Sequence, residues 1–136
     1  GYKPRVELMN PMIRGLAGEK MSSSDGNSKI DLMDDEKTVQ KKINKAECVE
    51  GEPDNGIMSI AQYIIFGLKD KLVIERDQKY GGNLEYTDFK SLKRDIELKD
   101  LHPMDLNSAI AQEINDILDN FRNNKELVKL YKLAYA

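Results

Sequence analysis

The 136-residue sequence contains no tryptophan, one cysteine and one histidine. The lone cysteine, Cys48, excludes an internal disulfide and fits a reducing compartment. The one histidine, His102, lies far from it along the chain, so no metal-ligand set is expected. No apolar run approaches the roughly 20 residues that a membrane-spanning helix needs. No signal peptide is visible, so a cytoplasmic location without a membrane partner is expected. The excess of one charge over the other is also small. The net charge is −3, whereas a dedicated nucleic-acid binder is usually basic. Any RNA contact would therefore be local, or shared with parts outside this sequence. The first residue is glycine rather than methionine, as expected of a piece of a longer chain or of a processed one. Internal repeats and low-complexity segments are absent.

What is present reads as globular. Charged residues make up 33%, yet aliphatic residues recur with regular spacing, which disordered chains lack. The length suits one ordinary domain, or a small domain plus a fragment. Arg5-Val6-Glu7-Leu8-Met9 predicts a brief strand closed by Asn10-Pro11. A single strand cannot pair its own backbone, so its partners would lie outside the sequence. In the chain alone, residues 1–35 are expected to be mobile or irregularly packed. Lys29-Ile30-Asp31-Leu32 alternates and predicts a short extended piece.

Asp34-Asp35 then favours a helix start, with Val39, Ile43 and Ala46 inward. Lys37, Lys41, Lys42 and Lys45 form either a solvated face or phosphate contacts with RNA. Cys48–Asn55 is an acidic loop. Ile57, Ile60, Ala61, Ile64, Ile65 and Leu68 form a helical stripe capped by Asn55 or Asp54, read as the central core helix, with Met58 and Tyr63 flanking it. Leu72–Glu75 and Leu84–Tyr86 predict a small hairpin or ordered loop presenting Tyr80. Thr87 is the expected cap of a helix burying Phe89, Leu92 and Ile96. His102-Pro103 opens another helix, proline at its first position, with a stripe through Leu106, Ile110, Ile114, Ile117, Leu118 and Phe121. A last helix over Lys125 to Tyr135 is expected to bury Leu127, Leu130, Tyr131 and Ala134.

The segment Lys20-Met21-Ser22-Ser23-Ser24, with Gly18 before it and Gly26 after it, offers one ammonium and three hydroxyls between flexible glycines. Such a set suits a triphosphate, although lysine–serine pentapeptides also occur in ordinary linkers, and the spacing is not that of a Walker loop. Gly18-Glu19-Lys20-Met21-Ser22-Ser23-Ser24 resembles the KMSKS-type signature of class I aminoacyl-tRNA synthetases, in its KMSSS form. Lys79-Tyr80-Gly81-Gly82-Asn83 and His102-Pro103-Met104-Asp105-Leu106 resemble the tyrosyl branch of archaeal and eukaryotic type. The order and spacing of the three blocks fit, and the resemblance runs over essentially the whole chain.

The resemblance implies a mainly α chain. Residues 1–35 would be the end of a Rossmann-like catalytic domain, and residues 36–136 a helical anticodon-binding domain with a small β element. It implies ATP with Mg²⁺ as the nucleotide substrate, tyrosine held by an upstream part, tRNA-Tyr as partner, and a homodimer formed through that upstream part. Gly18, Lys20, Met21 and Ser22–Ser24 would form the ATP loop, with Lys20, Ser22, Ser23 and Ser24 stabilising the departing pyrophosphate. The family's broader pattern often places a second lysine where Ser23 or Ser24 stands, which leaves less fixed positive charge here.

Single-stranded RNA is read by stacking a base on an aromatic ring and bonding its Watson–Crick edge. A carboxylate matches the adjacent donors of guanine, the first base of tyrosine anticodons. By resemblance, Tyr80 stacks on that base, Asp105 accepts from its edge, His102 and Met104 wall the pocket, and Cys48 lies near it. Each residue also has a purely structural reading: Asp105 and His102 as helix-start residues, Tyr80 as loop packing, Cys48 as a small buried hydrophobe. Three alternatives for the whole chain remain: a non-catalytic tRNA-binding module, a tryptophanyl-tRNA synthetase piece, or a helical adaptor without an RNA role.

Overall fold

The computed structural model describes residues 6–18 and 26–135. Six helices and one hairpin make up the described part: α1 (Glu36–Asn44), α2 (Gly56–Ile60), a π-helical turn (Ala61–Ile65), α3 (Phe66–Leu68), β1 (Leu72–Ile74), β2 (Leu84–Tyr86), α4 (Phe89–Glu97), α5 (Pro103–Arg122) and α6 (Lys125–Ala134). None of the described helices is long and apolar enough to cross a membrane. The mainly helical class with a small β element matches the sequence expectation.

The hub is α5, not the stripe that starts at Ile57. Across its 20 residues α5 packs on α1, β1, α6, the π-helical turn and α2. Its apolar stripe supplies Leu106, Ala109, Ile110, Ala111, Ile114 and Leu118 to the core, with Ile117 and Phe121 half-buried. Polar side chains fix how α5 meets α1. Asn107 Nδ2 donates to the Ile43 carbonyl at 3.4 Å and Asn115 Nδ2 to that of Glu36 at 3.5 Å. Arg122 Nε donates to the Asp34 carbonyl at 2.7 Å, and its Nη2 to Asn115 Oδ1 at 2.8 Å.

The rod from Gly56 to Leu68 begins as expected, with Asn55 Oδ1 accepting the Met58 N–H at 3.0 Å. Ile57, Ile60, Ala61 and Ile65 are buried, and Met58 joins them. Leu68 does not. The Phe66 N–H bonds the Ala61 carbonyl, five residues back. One extra residue in a turn rotates everything after it by about 100°. Leu68 is thereby turned outward, to 66% exposure, and Lys69 is brought onto Glu113 and Asp116 of α5. Tyr63 stays on the surface.

β1 and β2 pair antiparallel, with Leu72 opposite Tyr86 and Ile74 opposite Leu84. Leu72, Ile74 and Tyr86 are buried. The Tyr86 hydroxyl donates to Asp95 Oδ2 at 2.9 Å, tying β2 to α4. Burial, and then that bond, push its phenol above the ordinary range. The cap of α4 is Asp88 rather than Thr87. Its carboxylate accepts the Ser91 N–H at 2.9 Å and hydroxyl at 2.8 Å, a pair of bonds that a threonine one residue earlier cannot make. Asp35 caps α1 through the Thr38 N–H at 2.7 Å.

Three local expectations are not met. Residues 6–10 form no strand, and Val6, Leu8 and Met9 are exposed, because no strand among the described residues pairs with them. Residues 29–32 likewise form no ladder. In α6 no residue is buried: Leu127 and Val128 are half-covered, while Leu130, Tyr131 and Leu133 face solvent. That helix packs on α5.

Candidate nucleic-acid interface

The tip of the hairpin is built to turn sharply. A 3₁₀ turn over Gln78–Tyr80 is followed by Gly81 at φ 96° and Gly82 at φ 77°. Both lie in the left-handed region that side chains disfavour. The reversal leaves the Tyr80 ring outside at 64% exposure, with Lys79 Nζ 4.8 Å from its centroid. Arg76 holds this tip. Its backbone N–H bonds Asn83 Oδ1 at 3.0 Å, its Nε the Gly82 carbonyl at 3.1 Å, and its Nη1 the Asp100 carbonyl at 3.3 Å. One guanidinium thus ties the hairpin tip to the turn between α4 and α5.

That turn is the opposite wall. Lys99 closes α4 at φ 64°, among the described residues the one non-glycine with positive φ. The Asp100 and Leu101 N–H groups then bond the Asp95 carbonyl, at 2.9 and 3.2 Å. Leu101 is buried, which anchors the turn. His102 Nδ1 accepts the Met104 N–H at 3.1 Å and so caps α5. An accepting Nδ1 places the ring proton on Nε2, which stays available to a ligand. Pro103 occupies the first helical position and Asp105 the first turn, where the helix dipole favours a carboxylate.

Between the walls lies a cleft of about 560 Å³. Tyr80, His102, Met104 and Asp105 all line it, together with Glu50, Arg76, Lys99 and Asp100. Among the described residues the Asp105 carboxylate has no hydrogen-bond or ion-pair partner. Cys48 is not among the lining residues. It is half-buried against the core, its Sγ 3.9 Å from Asn55 Nδ2, and burial pushes its thiol up. Reading the sequence missed Arg76, Lys99, Asp100 and Glu50. For Arg76 a signal existed, since it directly follows the first predicted strand beside the hairpin tip. Lys99 could be found only once a helix was known to end there.

A family model described as tRNA synthetases class I (W and Y) matches residues 1–119. This chain belongs to that family. Similarity runs to its tyrosine members. The cytoplasmic tyrosine–tRNA ligase of Xenopus tropicalis is 45% identical over 139 residues, covering 99% of this chain and 26% of that protein. The tyrosine–tRNA ligase of Archaeoglobus fulgidus is 43% identical over 123 residues, covering 90% and 38%. A crystal structure of tyrosyl-tRNA synthetase from Archaeoglobus fulgidus, complexed with L-tyrosine, superimposes with a TM-score of 0.76 over 81% of this chain and 34% of that one. The chain therefore spans about a quarter to two fifths of the length of these relatives.

Lys20, Met21, Ser22, Ser23 and Ser24 lie outside the described residues; Gly18, at φ 78°, is described. The chain on either side of those residues is pinned to the helical core. The Leu16 N–H bonds the Ser28 carbonyl and the Leu16 carbonyl accepts the Glu47 N–H, both at 3.0 Å. Leu16 itself belongs to the core cluster. A Cβ on Gly56 would lie 2.1 Å from the Gly15 carbonyl oxygen, so the strap of residues 14–18 touches α2 backbone to backbone. Arg14 Nη2 adds a 2.7 Å ion pair to Asp54. Among the described residues no His, Cys, Asp and Glu cluster could hold a metal.

Proposed function

We propose that this chain is the part of a tyrosine–tRNA ligase that reads the anticodon and carries the loop that contacts ATP. The carrying observation is the cleft, where two walls far apart in sequence bring an exposed aromatic ring and an unpaired carboxylate together. A base stacked on Tyr80 gains roughly 1–3 kcal/mol, and Asp105 accepts from the guanine edge. His102 Nε2–H and Met104 border the same space. Cys48 would act only through the packing of the neighbouring loop.

In the full enzyme, tyrosine attacks the α-phosphate of ATP, which is delivered with Mg²⁺, and the tyrosyl group then passes to the terminal adenosine of tRNA-Tyr. Lys20 and the Ser22–Ser24 hydroxyls suit phosphate oxygens, and would stabilise charge growing on the departing pyrophosphate. Residues 1–35 would close the catalytic domain, and residues 36–136 form the anticodon domain. Dimerisation and the tyrosine pocket belong to the upstream part in this reading. The chain by itself is then an RNA-binding module without catalysis. The tyrosine names of its relatives favour this over a tryptophanyl piece.

The test is titration of the chain with an RNA hairpin carrying the tyrosine anticodon loop, and with the same hairpin having cytosine for the first anticodon guanine. The expected result is a guanine preference of at least about tenfold, consistent with roughly 1–3 kcal/mol per recognised base, which Asp105→Ala removes. Equal binding of both hairpins by the parent chain would refute the reading.

A further inference from the structure

We propose that Lys99 is a phosphate-binding residue of this cleft, holding the RNA backbone beside the base read by Tyr80 and Asp105. The inference rests on the anticodon reading above and adds to it the contact that anchors the nucleotide.

The lining is short of positive charge. Glu50, Asp100 and Asp105 face only two cations, Arg76 and Lys99, so an RNA strand entering here meets a net negative wall. Backbone phosphates need a cation to offset this. Arg76 is already engaged, its Nε and Nη1 bonded to the Gly82 and Asp100 carbonyls. Lys79, beside Tyr80, lies 3.5 Å from Asp77 and over the tyrosine ring. Among the described residues, the Lys99 ammonium has no hydrogen-bond or ion-pair partner. Of the two lining cations it is the one without any such partner, whereas Arg76 has two of its guanidinium nitrogens committed to backbone carbonyls.

The backbone carries a second, independent observation. Lys99 sits at the left-handed position that ends α4, at φ 64°. Glycine is the usual occupant there, because a Cβ in this region clashes with the following carbonyl. A lysine at this point is less stable than the residue the local geometry favours, and such departures cluster at functional sites. The stem also has a prepared bed. It crosses Gly51, where an added Cβ would lie 3.1 Å from Lys99 Cε. Gly51 therefore allows the side chain to lie across the acidic loop on its way into the cleft.

The two properties are separable by substitution. Lys99→Gly removes both charge and backbone strain, while Lys99→Met removes the charge alone. The probe is the tyrosine-anticodon RNA hairpin, titrated against the full chain between 50 and 200 mM salt, with Tm recorded for each variant. Losing one phosphate contact predicts a fivefold to tenfold weaker Kd at about 50 mM salt, and a log Kd–log salt slope smaller by about 0.7–0.9. Both variants are expected to show this while keeping their preference for guanine. Lys99→Gly is expected to gain about 2–4 °C in Tm, with Lys99→Met unchanged, which excludes unfolding as the cause.

Asp105→Asn runs alongside as the control for the cleft itself. If Asp105→Asn loses guanine preference while Lys99→Met keeps the parent affinity and slope, the lysine inference is overturned and the cleft reading stands. If Asp105→Asn keeps that preference, or the parent chain does not bind the hairpin, the cleft reading falls and the lysine inference falls with it.

Discussion

Residues 14–18 and the walls around residues 76–105 are both held against the α5-centred core, but by different contacts. The strap is fixed by backbone bonds through Leu16, and by the Gly15–Gly56 approach that tolerates no Cβ. The cleft is fixed by side chains acting on backbone: Arg76 on two carbonyls, His102 on an N–H. A backbone-built joint constrains residue size and leaves chemistry free. A side-chain-built joint depends on donors and acceptors, and so can be shaped for a ligand without disturbing the core.

That contrast can be broken by substitution. Gly56→Ala is expected to have the largest effect, destabilising by about 2–3 kcal/mol because an added methyl meets backbone that cannot move aside. Urea unfolding measures the loss, and amide exchange should accelerate at Leu16 and Glu47 well before the Tyr80 tip is affected. Unchanged exchange at those two amides would mean that the strap is not seated through Gly56.

Arg76→Ala comes next. Losing the latch between hairpin and turn is expected to cost about 1–2 kcal/mol and to weaken hairpin RNA binding with little effect on the strap amides. Arg76→Lys should not restore binding, since one ammonium cannot reach both carbonyls in the guanidinium's fork geometry. Full rescue by lysine would show that charge, not positioning, is what Arg76 supplies.

The smallest effect sharpens the comparison through pH. Asp35 caps α1, which α5 packs against, and Asp88 caps α4, whose far end leads into the cleft wall. Both carboxyls are held below their ordinary value, Asp35 by its bonds from the Thr38 side chain and backbone, Asp88 by those from the Ser91 backbone and hydroxyl. A depressed folded-state pKa contributes stability that is fully present above the unfolded value of 3.8. That contribution is lost as pH falls through the lower folded value. Tm measured below about pH 4 should therefore drop more shallowly in Asp35→Asn and Asp88→Asn than in the parent. Parallel acid limbs in all three would dismiss the capping account.

Much of the helical framework was legible because periodicity and caps are local. Val39, Ile43, Leu92, Ile96 and the α5 stripe fall inward as their spacing requires. The misses have separate causes. Leu68 faces out because one π turn shifts phase, which no residue in Ala61–Ile65 announces. Leu130 and Tyr131 remain uncovered because an apolar stripe states only that a helix could be buried, not that something lies against it. In the cleft, Tyr80, His102, Met104 and Asp105 could be named from the family blocks. Glu50, Lys99 and Asp100 could not, because they carry no motif and enter only through the path of the chain.

The order of residues settled the helices, the hairpin, the glycine reversals and the residue types able to stack on a base or accept from it. These depend on backbone propensity and side-chain chemistry over a few neighbouring positions. Tertiary structure decided that residue 80 and residue 105 share one space, that Arg76 joins its walls, and that Lys99 turns into it from a left-handed helix end. Such outcomes depend on how α5 packs against β1 and α4 against β2, and packing is set by all the contacts together rather than by any one stretch of sequence.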